Sequence, residues 1–124
     1  MSKRTEKVAD LIRRELADIV MMKLRDPRIG FLTITGVEIT GDLSLATIYV
    51  SSLEGTAGSA ALLKTLKNAV PYLRHELAPR LGLREVPELR FLYDESIERG
   101  ARVEDLLRRI QTGEAIDDGE DETK

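Results

Sequence analysis

The stretch KNAVPYLRHELAPRLG, residues 67–82, has the apolar spacing of a helix and carries a proline, Pro71, in its interior. The residues at three- and four-residue spacing that share one apolar face on both sides of it are Leu62, Leu66, Val70, Leu73, Leu77 and Leu81. An interior proline removes one hydrogen bond and costs a helix roughly 3 kcal/mol. The pattern therefore predicts two helical segments, joined by a break at Pro71 and ended by Gly82.

The break at Pro71 has two interpretations. A new helix start near Ala69–Tyr72 would present unpaired N–H groups and the positive end of a helix dipole, which together bind phosphate. Proline suits the first position of such a helix, because its missing N–H is no loss there. The alternative is a helix that simply bends around the rest of the protein.

Periodicity predicts further elements on both sides of this stretch. The predicted bounds are Thr5–Arg25 for a first helix, Phe31–Thr40 and Ser44–Leu53 for two strands, Ser59–Leu81 for the broken helix, Leu89–Asp94 for a third strand and Arg102–Ile110 for a last helix. Asp26-Pro27 is expected to end the first helix, because the residue before a proline is disfavoured in helical conformation. Gly36 indicates a bulge. Gly41-Asp42 predicts a hairpin turn of two residues or slightly more.

The order of these elements predicts the fold class. The first two strands are close enough in sequence to form a hairpin, whereas the third strand returns after a helical crossover. We therefore expect an α+β fold of two layers, with a three-stranded mixed sheet packed against helices on one face. The last helix is an addition at the C-terminal end.

The composition excludes several classes of protein. The 124 residues contain no cysteine, which excludes disulfides, thiolate metal sites and a cysteine nucleophile. The charged N-terminus and the lack of a long apolar run argue against a signal peptide and a membrane span, so we expect a cytoplasmic protein. Residues 114–124 hold six acids and one base, and the remainder carries 18 basic and 16 acidic residues. We expect one domain over residues 1–113 and a disordered acidic tail over residues 114–124.

No pattern typical of an enzyme is present in the sequence. It lacks the phosphate-binding GxxxxGK, a GxGxxG after a strand, and HExxH. His75, the single histidine, is expected on a helix surface, and Asp94-Glu95 are expected to cap a helix or face solvent. No cluster of metal-ligating residue types occurs. We therefore expect no catalytic residue, no metal and no cofactor, and a small hydrolase that uses Asp94 is the weakest hypothesis.

A one-sided set of basic residues is the strongest functional signal. On a helical wheel, Lys64, Lys67 and Arg74 largely oppose the leucine face, and Arg80 and Arg84 extend the set; we call these five residues the basic arc. A basic face without matching acids is typical of nucleic-acid binders, and the alternative is a solvated lysine face. The candidate RNA-binding residues are Lys64, Lys67, Ala69, Val70, Pro71, Arg74, Arg80 and Arg84, with Arg13, Arg14, Arg25 and Arg28 in second rank.

The element order α-β-β-α-α-β is similar to that of a type II KH domain, although the GxxG loop with which KH domains clamp RNA is absent. Three segments closely resemble the bacterial ribosome-binding factor A family: KLRDPRIGFLTITGVEIT (residues 23–40), DLSLATIYVS (residues 42–51) and REVPELRFLYDESIERGARVEDLL (residues 84–107). The motifs that carry the resemblance are the turn Asp26-Pro27-Arg28, the strand Val86–Phe91 continuing to Asp94, and the pattern of Ser96, Gly100 and Arg102.

This resemblance implies a KH-like fold in which an interhelical kink of the form Ala-x-Gly replaces the GxxG loop. Ala69 matches that triplet, and Pro71 stands where the family has glycine, which makes the break stiffer. The resemblance also implies a non-enzymatic factor that binds the free small (30S) ribosomal subunit and its ribosomal RNA. Such a factor assists late maturation, including processing of the 5′ end of 16S rRNA, above all in the cold.

The same resemblance implies a monomer, with no membrane partner and no small-molecule substrate. The alternative function is a small protein–protein interaction module without RNA specificity.

Overall fold

A computed structural model describes residues 2–24, 29 and 32–112, without the side chains of residues 97–103 and 112. The chain divides into two units, residues 1–94 and residues 95–124. The first unit contains the sheet and two helices, and the second contains the C-terminal helix. The predicted turn Asp26-Pro27-Arg28 and the predicted acidic tail, residues 114–124, lie outside the described residues.

The first helix, α1, runs over Lys3–Met22. Ser2 caps it, because its Oγ accepts a hydrogen bond from the backbone N–H of Thr5 at 3.1 Å. That bond satisfies one of the donors that a helix start leaves unpaired. The helix ends three residues before the end predicted at Arg25, so the sequence pattern located α1 correctly and overestimated its length at the C-terminus.

The second helix, α2, runs over Ser59–Leu81 as one element, with Pro71 and Pro79 inside it. A short 3₁₀ helix, Gly55–Gly58, leads into it. Gly82 ends it in the left-handed region, with φ of 66°, as predicted. The predicted division of α2 into two segments at Pro71 is wrong, because the helix continues through that residue.

Two physical reasons allow α2 to continue through its prolines. Pro71 and Pro79 leave the carbonyls of Lys67 and His75 without a helical N–H, and all four residues are exposed, so these carbonyls are accessible to water as an alternative donor. The opposite face of α2 buries five leucines. Burial of each contributes about 1.5–3 kcal/mol, which together outweighs a cost of roughly 3 kcal/mol per proline.

The sheet has three strands, β1 over Leu32–Ile39, β2 over Leu45–Ser52 and β3 over Glu88–Tyr93. Their order is β1-β2-β3, with β1 antiparallel and β3 parallel to the central β2. The predicted mixed sheet is therefore confirmed. The register between β1 and β2 shifts between Ile34 and Gly36, which confirms the bulge expected at Gly36.

The hairpin between β1 and β2 turns over four residues, 41–44, rather than two. The N–H of Thr40 donates to the carbonyl of Leu45 at 3.0 Å and closes the loop. Within it, Asp42 Oδ1 accepts hydrogen bonds from the hydroxyl of Ser44 at 2.7 Å and from its N–H at 3.1 Å. These bonds, with one from Thr40, lower the pKa of Asp42 below its ordinary value. Leu43 adopts φ of 63°, and its side chain packs against the core.

One hydrophobic core lies between the sheet and the helices α1 and α2. The sheet contributes alternate residues, which point to the same face: Ala46, Ile48, Val50, Leu89 and Phe91. The helices contribute residues at helical spacing: Ile12, Leu16, Ile19, Leu66, Leu73 and Leu77. The fold of residues 1–94 is thus the two-layer α+β arrangement that the element order predicted.

The C-terminal helix, α3, runs over Ser96–Thr112 and begins six residues earlier than predicted. The carboxylate of Asp105 pairs with two arginines one turn later in the helix, Arg108 at 2.6 Å and Arg109 at 3.2 Å. Pairs at three- and four-residue spacing stabilise a helix from within. Helix α3 is accordingly supported by contacts along its own length.

Candidate nucleic-acid interface

The basic arc does not form one continuous surface, because its five members lie in three different surroundings. Lys64 and Lys67 line a groove between α2 and β3. Arg74 and Arg80 bind groups of the protein itself, and Arg84 lines a separate cavity at one end of the sheet, which Arg74 also lines.

The groove has a volume of about 560 Å³ and is open to solvent. Helix α2 contributes Leu63, Lys64, Lys67 and Val70, and strand β3 contributes Leu89, Arg90 and Phe91. Lys64 and Lys67 are one helical turn apart on α2, so both reach the same side of it. The lining therefore combines four apolar residues with three basic ones.

The three cations of the groove have no acidic partner among the described residues. Lys64 and Lys67 make no ion pair in that part of the chain, and Arg90 makes one polar contact, from Nη2 to Thr47 Oγ1 at 3.4 Å. Both lysines and Arg90 are exposed. Three uncompensated positive charges beside apolar side chains suit an anionic polymer.

Sequence reasoning missed Arg90. Its signal lay in the run LRFLYD, where alternation places Arg90 on the face opposite to Leu89 and Phe91. The missing information was that β3 is an edge strand, which lets Arg90 contribute to the lining of the same groove as the lysines of α2.

Arg74 holds the segment before β3 against α2. Its Nη2 donates to the carbonyl of Val86 at 2.7 Å, and its Nε donates to the carbonyl of Pro87 at 3.1 Å. Pro87 is among the most deeply buried residues of the protein. The guanidinium fork therefore satisfies two carbonyls that the entry into β3 leaves without strand partners.

Arg80 joins α2 to α1. Its Nη1 lies 2.8 Å from Asp18 Oδ2 and 3.0 Å from Glu15 Oε1. Hydrogen bonds to Asp18 and Glu15 raise the pKa of Arg80 above its ordinary value. Two carboxylates on one guanidinium leave Arg80 little attraction for phosphate.

Arg84 lines a cavity of about 490 Å³ together with Arg4 from the start of α1. Neither arginine makes an ion pair within the described part of the chain. The same cavity also has three acidic residues in its lining: Asp42, Glu85 and Glu88. The mixed charge makes this cavity a weaker anion site than the groove.

The second-rank candidates on α1 are already paired. Arg13 and Arg14 contact Asp10 at 2.8 Å and 3.2 Å. The hydrogen bond from Arg13 is the largest cause that lowers the pKa of Asp10 below its ordinary value. Arg25 and Arg28 lie outside the described residues.

The triplet Ala69-Val70-Pro71 does not begin a helix, since it lies inside α2. The N–H groups after Pro71 are therefore committed to the helix, and the expected set of unpaired donors is not formed there. Val70 lines the groove, Ala69 is half-buried and Pro71 is exposed.

The residues considered for catalysis have structural surroundings. Asp94 Oδ2 accepts a hydrogen bond from Thr35 Oγ1 at 2.6 Å, which ties the end of β3 to the bulge of β1. His75 is exposed on α2. Among the described residues, no three histidine, aspartate or glutamate side chains stand close enough to hold a metal ion. None of the helices described has both the length and the apolar character needed to cross a bilayer.

Related sequences identify the family. The sequence profile described as Ribosome-binding factor A matches residues 4–107. A ribosome-binding factor A from Desulforamulus reducens is 44% identical over 115 residues, which are 93% of this chain and 96% of that protein. Another from Trichlorobacter lovleyi is 44% identical over 119 residues, which are 96% of this chain and 97% of that protein.

Solved structures agree with the sequence comparison. The crystal structure of ribosome-binding factor A from Thermus thermophilus has a TM-score of 0.64 and 30% identity, over 72% of this chain and 94% of that chain. A homology model of the Thermus thermophilus factor, fitted into the cryo-EM map of a 30S-RbfA complex, has a TM-score of 0.59 and 31% identity, over 70% of this chain and 91% of that chain. The profile match over residues 4–107, the 44% identical relatives and the similar solved structures show that the chain belongs to the ribosome-binding factor A family.

Proposed function

We propose that this protein is a non-enzymatic assembly factor that binds the free small ribosomal subunit in the cytoplasm as a monomer. It assists late maturation of that subunit, including processing of the 5′ end of 16S rRNA, and matters most in the cold, where misfolded RNA helices escape slowly. Two findings support the proposal: family membership, and the relative from Thermus thermophilus that was fitted into a 30S complex.

The observation that carries the RNA contact is the groove with its two lysines, which have no acidic partner among the described residues. Lys64 and Lys67 bind phosphates of the ribosomal RNA, and Arg90 extends the same positive surface across the edge of the sheet. Val70 contributes to the apolar lining. Arg84 is a secondary contact. Ala69 and Pro71 supply no free backbone donors, because both lie inside α2.

Two members of the basic arc leave the proposed RNA site. Arg74 donates to the backbone carbonyls of residues 86 and 87, and Arg80 pairs with the acidic side chains of α1. Their charge still adds to the long-range field, which speeds the approach of a polyanion without fixing its position.

The test is cosedimentation of the purified protein with isolated small subunits, large subunits and joined ribosomes across a salt series. We expect selective pelleting with small subunits that weakens steeply as salt rises, because phosphate contacts release counterions. Equal pelleting with all three particles, or with none, contradicts the proposal.

A pair of variants with the same loss of charge locates the contact. Lys64→Gln with Lys67→Gln should weaken subunit binding and reduce the slope of log affinity against log salt by roughly 2, one unit for each phosphate contact. Arg13→Gln with Arg14→Gln removes two charges from α1, where both arginines are already paired, and should have a smaller effect. Equal effects of the two variant pairs would mean that RNA binding depends on the overall charge of the protein rather than on the lysines of the groove.

The protein-interaction module stays the second candidate function, because β3 leaves one edge of the sheet open. Association that does not depend on salt, or that survives removal of RNA from the partner, would favour it.

A further inference from the structure

The two edges of the sheet differ in how they are protected. The edge strand β1 carries the bulge between Ile34 and Gly36, which interrupts its ladder. Bulges of this kind prevent another strand from adding to a sheet. The other edge strand, β3, keeps one unbroken register with β2 from Leu45↔Glu88 to Val50↔Tyr93. The bulge therefore hinders strand addition at β1, whereas β3 keeps the regular backbone geometry that strand addition needs.

The backbone groups on the free edge of β3 follow from its pairing with β2. The N–H of Glu88 donates to the carbonyl of Ser44 at 2.9 Å, and that of Asp94 donates to the carbonyl of Val50 at 2.7 Å. Successive residues of a strand direct their backbone groups to opposite edges, so the even-numbered residues face β2. The free edge therefore presents the N–H and C=O groups of residues 89, 91 and 93.

The groove runs along this same edge. No residue of β2 lines it, so it opens on the side of β3 that has no strand partner. A strand added there would direct every second side chain toward the groove, onto Val70 and Phe91, and the others toward the outer face beside Arg90. Arg90 has no acidic partner among the described residues, so it favours acidic side chains opposite it on the outer face of that strand.

We propose that an extended acidic segment of a protein partner binds to β3 as a fourth strand of the sheet. The regular ladder supplies main-chain hydrogen bonds, the groove takes the apolar side chains, and Arg90 selects for acidic side chains on the outer face. The six residues of β3 match a partner segment of similar length. Because the segment fills the same groove as the proposed RNA contact, protein and RNA exclude each other at this site.

The first experiment uses the full chain without any RNA. The probe is a capped seven-residue peptide of alternating glutamate and valine, and the readout is amide hydrogen exchange by NMR. With saturating peptide, the amides of Leu89, Phe91 and Tyr93 should exchange roughly tenfold or more slowly, because new bonds protect them. The amides of Arg90 and Leu92, which already face β2, should change little. Unchanged exchange at the three edge amides overturns the proposal.

Two controls separate strand addition from simple charge attraction. The same peptide, N-methylated at every residue, keeps its charge and loses all its main-chain donors, and it should bind much more weakly. Arg90→Gln should weaken binding of the unmodified peptide, whereas Arg13→Gln should not. Equal binding of the two peptides, or equal effects of the two variants, overturns strand addition at β3.

Competition connects this inference to the proposed function and keeps the two distinguishable. Added peptide should reduce pelleting of the protein with small subunits. Edge protection without subunit binding would retain strand addition and refute the RNA site. Subunit binding without edge protection would retain the RNA site and refute strand addition.

Discussion

The two halves of α2, on either side of Pro71, carry the same kind of side chain and use it differently. Lys64 and Lys67 in the first half face an open groove and have no acidic partner among the described residues. Arg74 and Arg80 in the second half bind two carbonyls and two carboxylates of the protein itself. A basic residue is available to a ligand only where the fold leaves it unpaired, so we propose the first half as the binding half and the second half as structural.

The largest expected effect tests whether the two halves are one helix. Pro71→Ala restores the N–H that bonds to the carbonyl of Lys67 and introduces the residue with the highest helix propensity. We expect the free energy of unfolding to rise by about 1–3 kcal/mol, measured by urea denaturation. Pro71→Gly restores the same N–H with about 1 kcal/mol less helix propensity, so it should lie between the wild type and the alanine variant. Loss of stability in both variants would mean that the halves are separate helices after all.

The next effect tests the structural half directly. Arg74→Ala leaves the carbonyls of Val86 and Pro87 without their donors, so the free energy of unfolding should fall by about 1–3 kcal/mol. Chemical denaturation measures it. Arg84→Ala is the matched control, since Arg84 is exposed and unpaired in the described part of the chain, and it should change stability by less than about 0.5 kcal/mol. If the two variants were equally stable, Arg74 would be free to bind RNA as the sequence suggested.

A smaller effect concerns the link between α2 and α1. Arg80→Ala should lower stability modestly at low salt and less at high salt, because the three charged groups are partly exposed and salt screens them. Thermal denaturation at two salt concentrations measures this difference. In the Arg80→Ala background, Glu15→Gln with Asp18→Asn should cause no further loss of stability. A loss that salt does not reduce would indicate packing of the Arg80 side chain rather than its charge.

The smallest expected effect on stability belongs to the binding half. Lys64→Ala with Lys67→Ala removes two unpaired surface charges, so the free energy of unfolding should change by less than about 0.5 kcal/mol. The same urea denaturation measures it. A larger loss would show that the lysines support α2, and any loss of subunit binding in this variant would then reflect folding.

Local pattern in the sequence was sufficient for the elements and their order. Alternation in LRFLYD identified β3, leucine spacing located α2, and glycine chemistry indicated the bulge at Gly36 and the end at Gly82. Each of these features depends on residues within a few positions of one another. The family motifs then distinguished this arrangement from other small α+β folds.

The division of the basic arc was not predictable in the same way. Arg80 meets its acids 65 and 62 residues earlier in the chain, on another helix. Arg74 meets carbonyls that carry no side-chain signature. The predicted break at Pro71 was wrong for a related reason. The local cost of a proline is outweighed by burial of the leucine face of α2, and that burial depends on the completed core.

The parallel pairing of β3 determines when the chain can finish folding. The hairpin of β1 and β2 uses contacts that are close in sequence, but β3 reaches β2 only after the whole of α2 has crossed the sheet. We expect both helices and the hairpin of a nascent chain to be able to form before β3 is available, which leaves one side of the central strand bare. Residues 88–93 would then close the sheet last, and we expect a growing chain to stay aggregation-prone until those six residues leave the exit tunnel.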